Sequence, residues 1–211
     1  MTQIKAVLFD MDGVLVDATE WHFEALNRAL ALFGLDINRF DHLDRYDGLP
    51  TKRKLEMLSR EFGLPPSLHQ FVYDLKQKFT LELVRANCHP NFDHQFALSR
   101  LHGRGLKLGV CSNAIRESVE TIMEAAGLAR FLDVVLSNED VRNSKPDPEI
   151  YLKAYAALGL DPRECLIIED NDYGVASATA SGGHVFRVGG VSDVNYRAIM
   201  ARINRIEDAG G

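Results

Sequence analysis

Short apolar runs at residues 4–9, 106–111, 133–137, 165–168 and 184–188 predict five strands, and the first two carry the Ile, Val, Leu and Phe of buried strands, the first suited to a central strand covered on both faces. Helical signals separate the later runs. Asn113 and Ala114 lead into a helix that stops at Gly127, a natural position for a left-handed residue. Asp147-Pro148-Glu149 offers a capping aspartate, a proline in the first turn and an acid behind it, for a helix ending near Leu158-Gly159. A small-residue helix over 175–181 stops at Gly182-Gly183, and Asp193 or Asn195 caps a last helix carrying Ile199, Ile203 and Ile206. Strands alternating with helices predict parallel pairing through right-handed crossovers.

The stretch between the first two runs has only the helical period. Phe23, Leu26, Leu30 and Phe33 form one set, Leu55, Leu58 and Phe62 a second, and Leu68, Val72, Leu75, Phe79 and Leu83 a third. Gly34, the turn at Asp47-Gly48-Leu49-Pro50 and Pro65-Pro66 punctuate them. The expected fold class is α/β: a three-layer, doubly wound parallel sheet of Rossmann-like form over 1–16 and 89–211. An all-helical cap domain over 17–88 follows the first strand as a lid on the sheet's end, with His89-Pro90 as the return hinge. Three helices in one connection favour such an insert over ordinary crossovers.

Composition narrows the classes. The chain has 211 residues, is 46% hydrophobic and carries a formal charge of −6, which suits a packed core and leaves no electrostatic footprint for nucleic acid. No apolar run reaches membrane-spanning length, and no leader pattern opens the chain. Cys88, Cys111 and Cys165 are too scattered for a disulfide framework or a zinc site, so buried free thiols and a cytoplasmic location are expected. No feature bears on oligomeric state.

The candidate chemistry lies at the strand ends. Asp10 and Asp12 follow the first run, Ser112 and Asn113 the second, and Glu169 and Asp170 the fourth, while Lys145 lies in the loop after the third. Open α/β sheets gather such ends in one crevice. Two carboxylates ~4 Å apart repel by about 4 kcal/mol at an effective dielectric near 20, so the set calls for a hard divalent cation, with Mg²⁺ the usual choice beside phosphates. Asp10 then suits a nucleophile that forms an aspartyl-phosphate. Asp12, two residues on, suits the acid and base at the leaving group and the water. Ser112 offers a hydroxyl, and the amide after it is expected to open a helix as an anion cradle.

These residues resemble the motifs of the haloacid dehalogenase superfamily, in its phosphatase and beta-phosphoglucomutase-like branch. The matching segments are Phe9-Asp10-Met11-Asp12-Gly13-Val14, Cys111-Ser112-Asn113, Lys145-Pro146-Asp147-Pro148 and Ile168-Glu169-Asp170-Asn171, in that order. The resemblance implies Asp10 as nucleophile and metal ligand. It implies Asp12 as acid/base with its backbone carbonyl on the metal, Asp170 as ligand, and Glu169 as ligand or neighbour of one. Ser112 and Lys145 match the phosphate-binding hydroxyl and lysine, with Asn113 beside them as a substrate contact. True dehalogenases lack the second aspartate of the first motif, so phosphoryl chemistry is expected, on a small phosphorylated metabolite such as a sugar phosphate.

The segment 17–23 is similar to the hinge of beta-phosphoglucomutases, including His22, which either orients the site or packs within the lid. Thr51 stands where those mutases carry an arginine, with Lys52, Arg53 and Lys54 following. Lys52 and Thr51 are candidate substrate contacts, and a solvated face is the plainer reading of 52–54. Lys76 to Thr80 would help choose the leaving group. The missing arginine favours a phosphatase over a sugar phosphomutase, with a non-catalytic binding protein of the same fold as the third reading. Asp172 is expected to cap the helix after Asp170.

Overall fold

The computed structural model describes residues 3–46 and 49–210, so Asp47 and Gly48 of the expected turn lie outside the described residues. In chain order, β1 (Ala6–Phe9) precedes α1 (Thr19–Ala31), the single turn α2 (Arg39–Asp41) with a π-helical turn at His42–Tyr46, α3 (Thr51–Phe62) and α4 (His69–Asn87). Then come α5 (Phe92–Gly103), β2 (Lys107–Cys111), α6 (Arg116–Ala125), β3 (Val134–Leu136), α7 (Glu149–Leu158), β4 (Cys165–Glu169), α8 (Asp172–Ala180), β5 (His184–Arg187) and α9 (Tyr196–Ala209). The chain divides into two compact units, Met1–Asp17 with His89–Gly211, and Ala18–Cys88.

The first unit is a parallel sheet in the order β3-β2-β1-β4-β5. β1 is fully buried at its centre, as its uninterrupted apolar sequence requires. Burying Val7, Leu8 and Phe9 contributes about 1.5–3 kcal/mol per side chain. Strand order reverses at β1, and such a switch point opens a crevice beyond the carboxyl ends. Period two sorts the side chains. Ala6, Leu8, Cys111, Cys165 and Ile167 share one core with Ile150, Tyr151, Ala154 and Tyr155 of α7 and Ala178 of α8. The same alternation carries Asp10, two beyond Leu8, and Glu169, two beyond Ile167, to the face that α7 covers.

The second unit contains no strand among its described residues. α1 packs along α4, around Leu26, Leu30, Tyr46, Leu55, Leu58 and Val72. The three cysteines are buried and free.

Several local expectations are corrected. α5 was not expected; Asn91 caps it by accepting from the Asp93 and His94 amides, and it buries Ala97, Leu98 and Leu101. α8 begins at Asp172, three residues early, and Asn171 is its cap, accepting from the Gly174 amide at 2.9 Å. Asp172 instead pairs with Arg187 at 2.8 Å. Of the two candidate caps for α9, Asn195 performs the role and Asp193 accepts from the Gly189 amide. α7 starts one residue later than expected, with Pro148 rather than Asp147 at the capping position, and Asp147 accepts from the Glu149 amide at 3.0 Å. α6 starts at Arg116 behind Ile115, so the amide after Ser112 does not open a helix.

Candidate active site

Asp10 sits at the exit of β1, its amide donating to the Ile168 carbonyl of β4 at 2.9 Å. The chain then folds back at once. The amides of Val14, Leu15 and Val16 all point to the Met11 carbonyl, and Gly13 adopts φ +78 within that loop. Gly13 also lies against Asp170: a Cβ there would stand 2.0 Å from Asp170 Oδ2. Glycine is therefore required twice, for the left-handed backbone and for the close approach.

Lys145 ties the strand ends together. Its Nζ donates to Asp10 Oδ1 at 2.8 Å, to the Cys111 carbonyl at 2.8 Å and to Glu169 Oε1 at 2.6 Å. All three ammonium hydrogens thus have acceptors, from the residue after β1, from β2 and from β4. Burial opposes the charge on Lys145, but the Asp10 and Glu169 carboxylates outweigh it and hold the lysine above its ordinary value. Asn113 fixes the lysine's backbone: its Oδ1 accepts from the Lys145 amide at 3.0 Å and its Nδ2 donates to the Lys145 carbonyl at 3.4 Å. The Asn113 side chain, expected at the substrate, is thus engaged with Lys145. Ser112 is buried, and its Oγ accepts from the Ala114 amide at 3.1 Å.

Asp10, Glu169 and Asp170 each offer a carboxylate oxygen, and these lie within 4.8 Å of one another. Asp12 contributes no carboxylate to that group. Burial first, then the charge of Glu169, pushes Asp10 well above the usual carboxylate range, against the pull of Lys145. The same two causes raise Asp170. Three crowded carboxylates face one ammonium, and a divalent cation matches that charge imbalance. Glu169 is fully buried, and among the described residues no donor reaches its Oε2. An oxygen left in that state is costly unless a cation satisfies it. The donor set is all oxygen, as a hard ion such as Mg²⁺ prefers.

Among haloacid dehalogenase-like hydrolases, the family model matches residues 7–188. The chain belongs to this family. A relative in Thermotoga maritima, named phosphorylated carbohydrates phosphatase, is 30% identical over 182 residues, covering 85% of this chain and 82% of its own. A phosphoglycolate phosphatase of Aquifex aeolicus is 26% identical, with 85% of this chain and 82% of its own covered. Among solved structures, a beta-phosphoglucomutase of Clostridium difficile superposes with a TM-score of 0.83 at 18% identity, over 98% of this chain and 100% of its own. The sheet and its attached helical unit are therefore the fold of haloacid dehalogenase-like hydrolases. No helix among the described residues is long and apolar enough to cross a membrane.

The remaining candidates belong to the helical unit. His22 and Lys76 approach each other, Nδ1 to Nζ, at 3.2 Å. Thr51 opens α3 behind Pro50, and the Lys52 ammonium lies 5.9 Å from the Tyr73 ring centre. Arg53 is exposed and paired with Glu56 at 3.0 Å. Lys54 corrects the reading of 52–54 as one solvated face, because it is only 5% exposed. Sequence reasoning did not single out Tyr151, whose hydroxyl donates to Glu169 Oε1 at 2.5 Å. Its helical spacing with Ile150 and Ala154 marks only a core position.

Proposed function

We propose that this hydrolase is a Mg²⁺-dependent phosphatase that cleaves small phosphorylated metabolites, sugar phosphates foremost, through a phosphoryl group carried on Asp10. One observation supports this above the rest: a buried Asp10 carboxylate, oriented by Lys145, sits in a cluster with Glu169 and Asp170 at the exits of β1 and β4.

In the first half-reaction an Asp10 oxygen attacks phosphorus and the bond to the leaving oxygen breaks. Asp12 gives that oxygen its proton. In the second half Asp12 takes a proton from water, which attacks the aspartyl-phosphate and releases inorganic phosphate with Asp10 restored. Ser112 Oγ and the Asn113 backbone amide hold phosphoryl oxygens, while the Asn113 side chain keeps Lys145 in place. Asp10, Asp170 and the Asp12 carbonyl would hold Mg²⁺, with Glu169 as ligand or neighbour, and the ion's charge would offset repulsion between carboxylate and phosphoryl oxygens.

The name of the Thermotoga maritima relative supports a sugar-phosphate class. Hydrolysis is favoured over mutase chemistry because Thr51 stands in place of the mutases' arginine and Arg53, the next guanidinium along the chain, is paired with Glu56 at the surface. Phosphate release from an aryl phosphate, with Mg²⁺ and after chelation, tests the reaction class, and a panel of phosphorylated metabolites then ranks substrates. Conversion of beta-glucose 1-phosphate to glucose 6-phosphate without free phosphate, in the presence of a bisphosphate, would replace this reading with the mutase.

A further inference from the structure

Tyr151 is buried in the core that α7 makes with the sheet, among Ile150, Ala154 and Cys111. Packing alone would be served as well by phenylalanine, because a buried hydroxyl costs free energy unless it is hydrogen-bonded. Its partner is Glu169, where the hydroxyl and Lys145 Nζ both donate to Oε1, at 2.5 and 2.6 Å. Oε2 receives nothing from the described residues. The carboxylate is also confined by α8, since a Cβ on Gly174 would stand 2.0 Å from Oε2.

We propose that Tyr151 is a positioning residue for divalent-cation binding: with Lys145 it saturates Oε1 of Glu169 and so reserves Oε2 for the cation. The inference rests on the metal-dependent reading of the site. Carboxylate ligands are commonly oriented by hydrogen bonds from groups that do not touch the metal, and losing such a bond typically lowers metal affinity by about 10–100-fold. The ring has a separate task, since the Lys145 ammonium lies 5.0 Å from its centre. Tyr151→Phe keeps that contact and removes only the hydroxyl, leaving Lys145 as the one donor that holds Oε1.

The test is calorimetric titration of Mg²⁺ into the metal-free full chain, without substrate, for wild type, Tyr151→Phe and Tyr155→Phe. Tyr155 lies in the same core, but its hydroxyl pairs with Ser181 at 2.7 Å. The expected result is a Kd about 10-fold higher for Tyr151→Phe and unchanged for Tyr155→Phe. Equal Kd values for wild type and Tyr151→Phe, or equal weakening in both variants, would overturn the positioning role while leaving the phosphatase reading intact. A wild type that binds no Mg²⁺ would overturn both. Should Tyr151→Phe not fold, proton NMR of the wild type decides: a slowly exchanging Tyr151 hydroxyl resonance is expected to move on Mg²⁺ addition, and one indifferent to Mg²⁺ contradicts the proposal.

Discussion

Lys145 Nζ and Asp10 Oδ1 lie 2.8 Å apart across 135 residues of sequence, and both side chains are nearly inaccessible to solvent. A buried pair of this kind is an obligation: removing one partner strands the other charge in a low-dielectric interior. Lys145→Met strands two, since Glu169 shares the same ammonium. The variant should lose about 3–5 kcal/mol of stability in urea denaturation without metal. Mg²⁺ should restore part of that loss and none of the activity. A variant as stable as wild type would show that the ammonium does not hold these carboxylates in the folded state.

Gly174 sits within α8, where alanine would ordinarily stabilise by about 1 kcal/mol. The clash with Glu169 reverses the sign, because a Cβ would fall 2.0 Å from Oε2 and 2.1 Å from the carboxyl carbon. Gly174→Ala should therefore lower both the melting temperature and Mg²⁺ affinity. Gly13→Ala should be worse, since it adds a strained φ of +78 to a 2.0 Å approach to Asp170. Thermal melts with and without Mg²⁺ read both effects, and a stabilised Gly174→Ala would show that Glu169 moves freely.

Asp12 as general acid predicts a dependence on the leaving group. A sugar alkoxide needs a proton as it departs, whereas a nitrophenolate does not. Asp12→Asn should slow phosphoenzyme formation from a sugar phosphate by about 10²–10⁴-fold, with a far smaller effect for the aryl ester. Rapid-quench comparison of the two substrates is the check. Equal losses would move the proton-transfer role elsewhere.

Much of this site was legible because strand sequences announce their ends. The apolar runs before Asp10, Ser112 and Glu169 mark where parallel strands stop, and the switch-point rule brings those stops together. What escaped has physical reasons. α5 buries His94 with Ala97, Leu98 and Leu101, while Phe92 and Phe96 are 77% and 45% exposed, so its apolar pattern does not report its buried face. Asp172 looked like a cap because aspartate and asparagine are equivalent in that role, and Asn171 reached the Gly174 amide first. Lys54 looked solvated because lysine almost always is. Tyr151 could not be singled out, because its sequence position says nothing of where the hydroxyl ends.

His42 gives the helical unit an acid sensitivity. Burial, and then the charges of Lys54, His22 and Lys76, lower it from 6.5 to about 4. Between those values the unfolded chain binds a proton that the folded unit does not, so stability falls as pH drops from about 6.5 towards 4. Asp10 and Asp170, both raised, act with the opposite sign, so the comparison must be made within one background. Urea denaturation across that range should show a shallower acid loss for His42→Gln than for wild type. Parallel curves would remove His42 from the account.

The most direct test of the central claim is peptide mapping of Asp12→Ala after acid quench during turnover of an aryl phosphate, whose leaving group needs no proton. The account predicts one added phosphoryl group on the peptide carrying Asp10, lost when Asp10 is also changed to Asn. An unmodified Asp10 peptide during sustained phosphate release, or a phosphoryl group on any other residue, would contradict it.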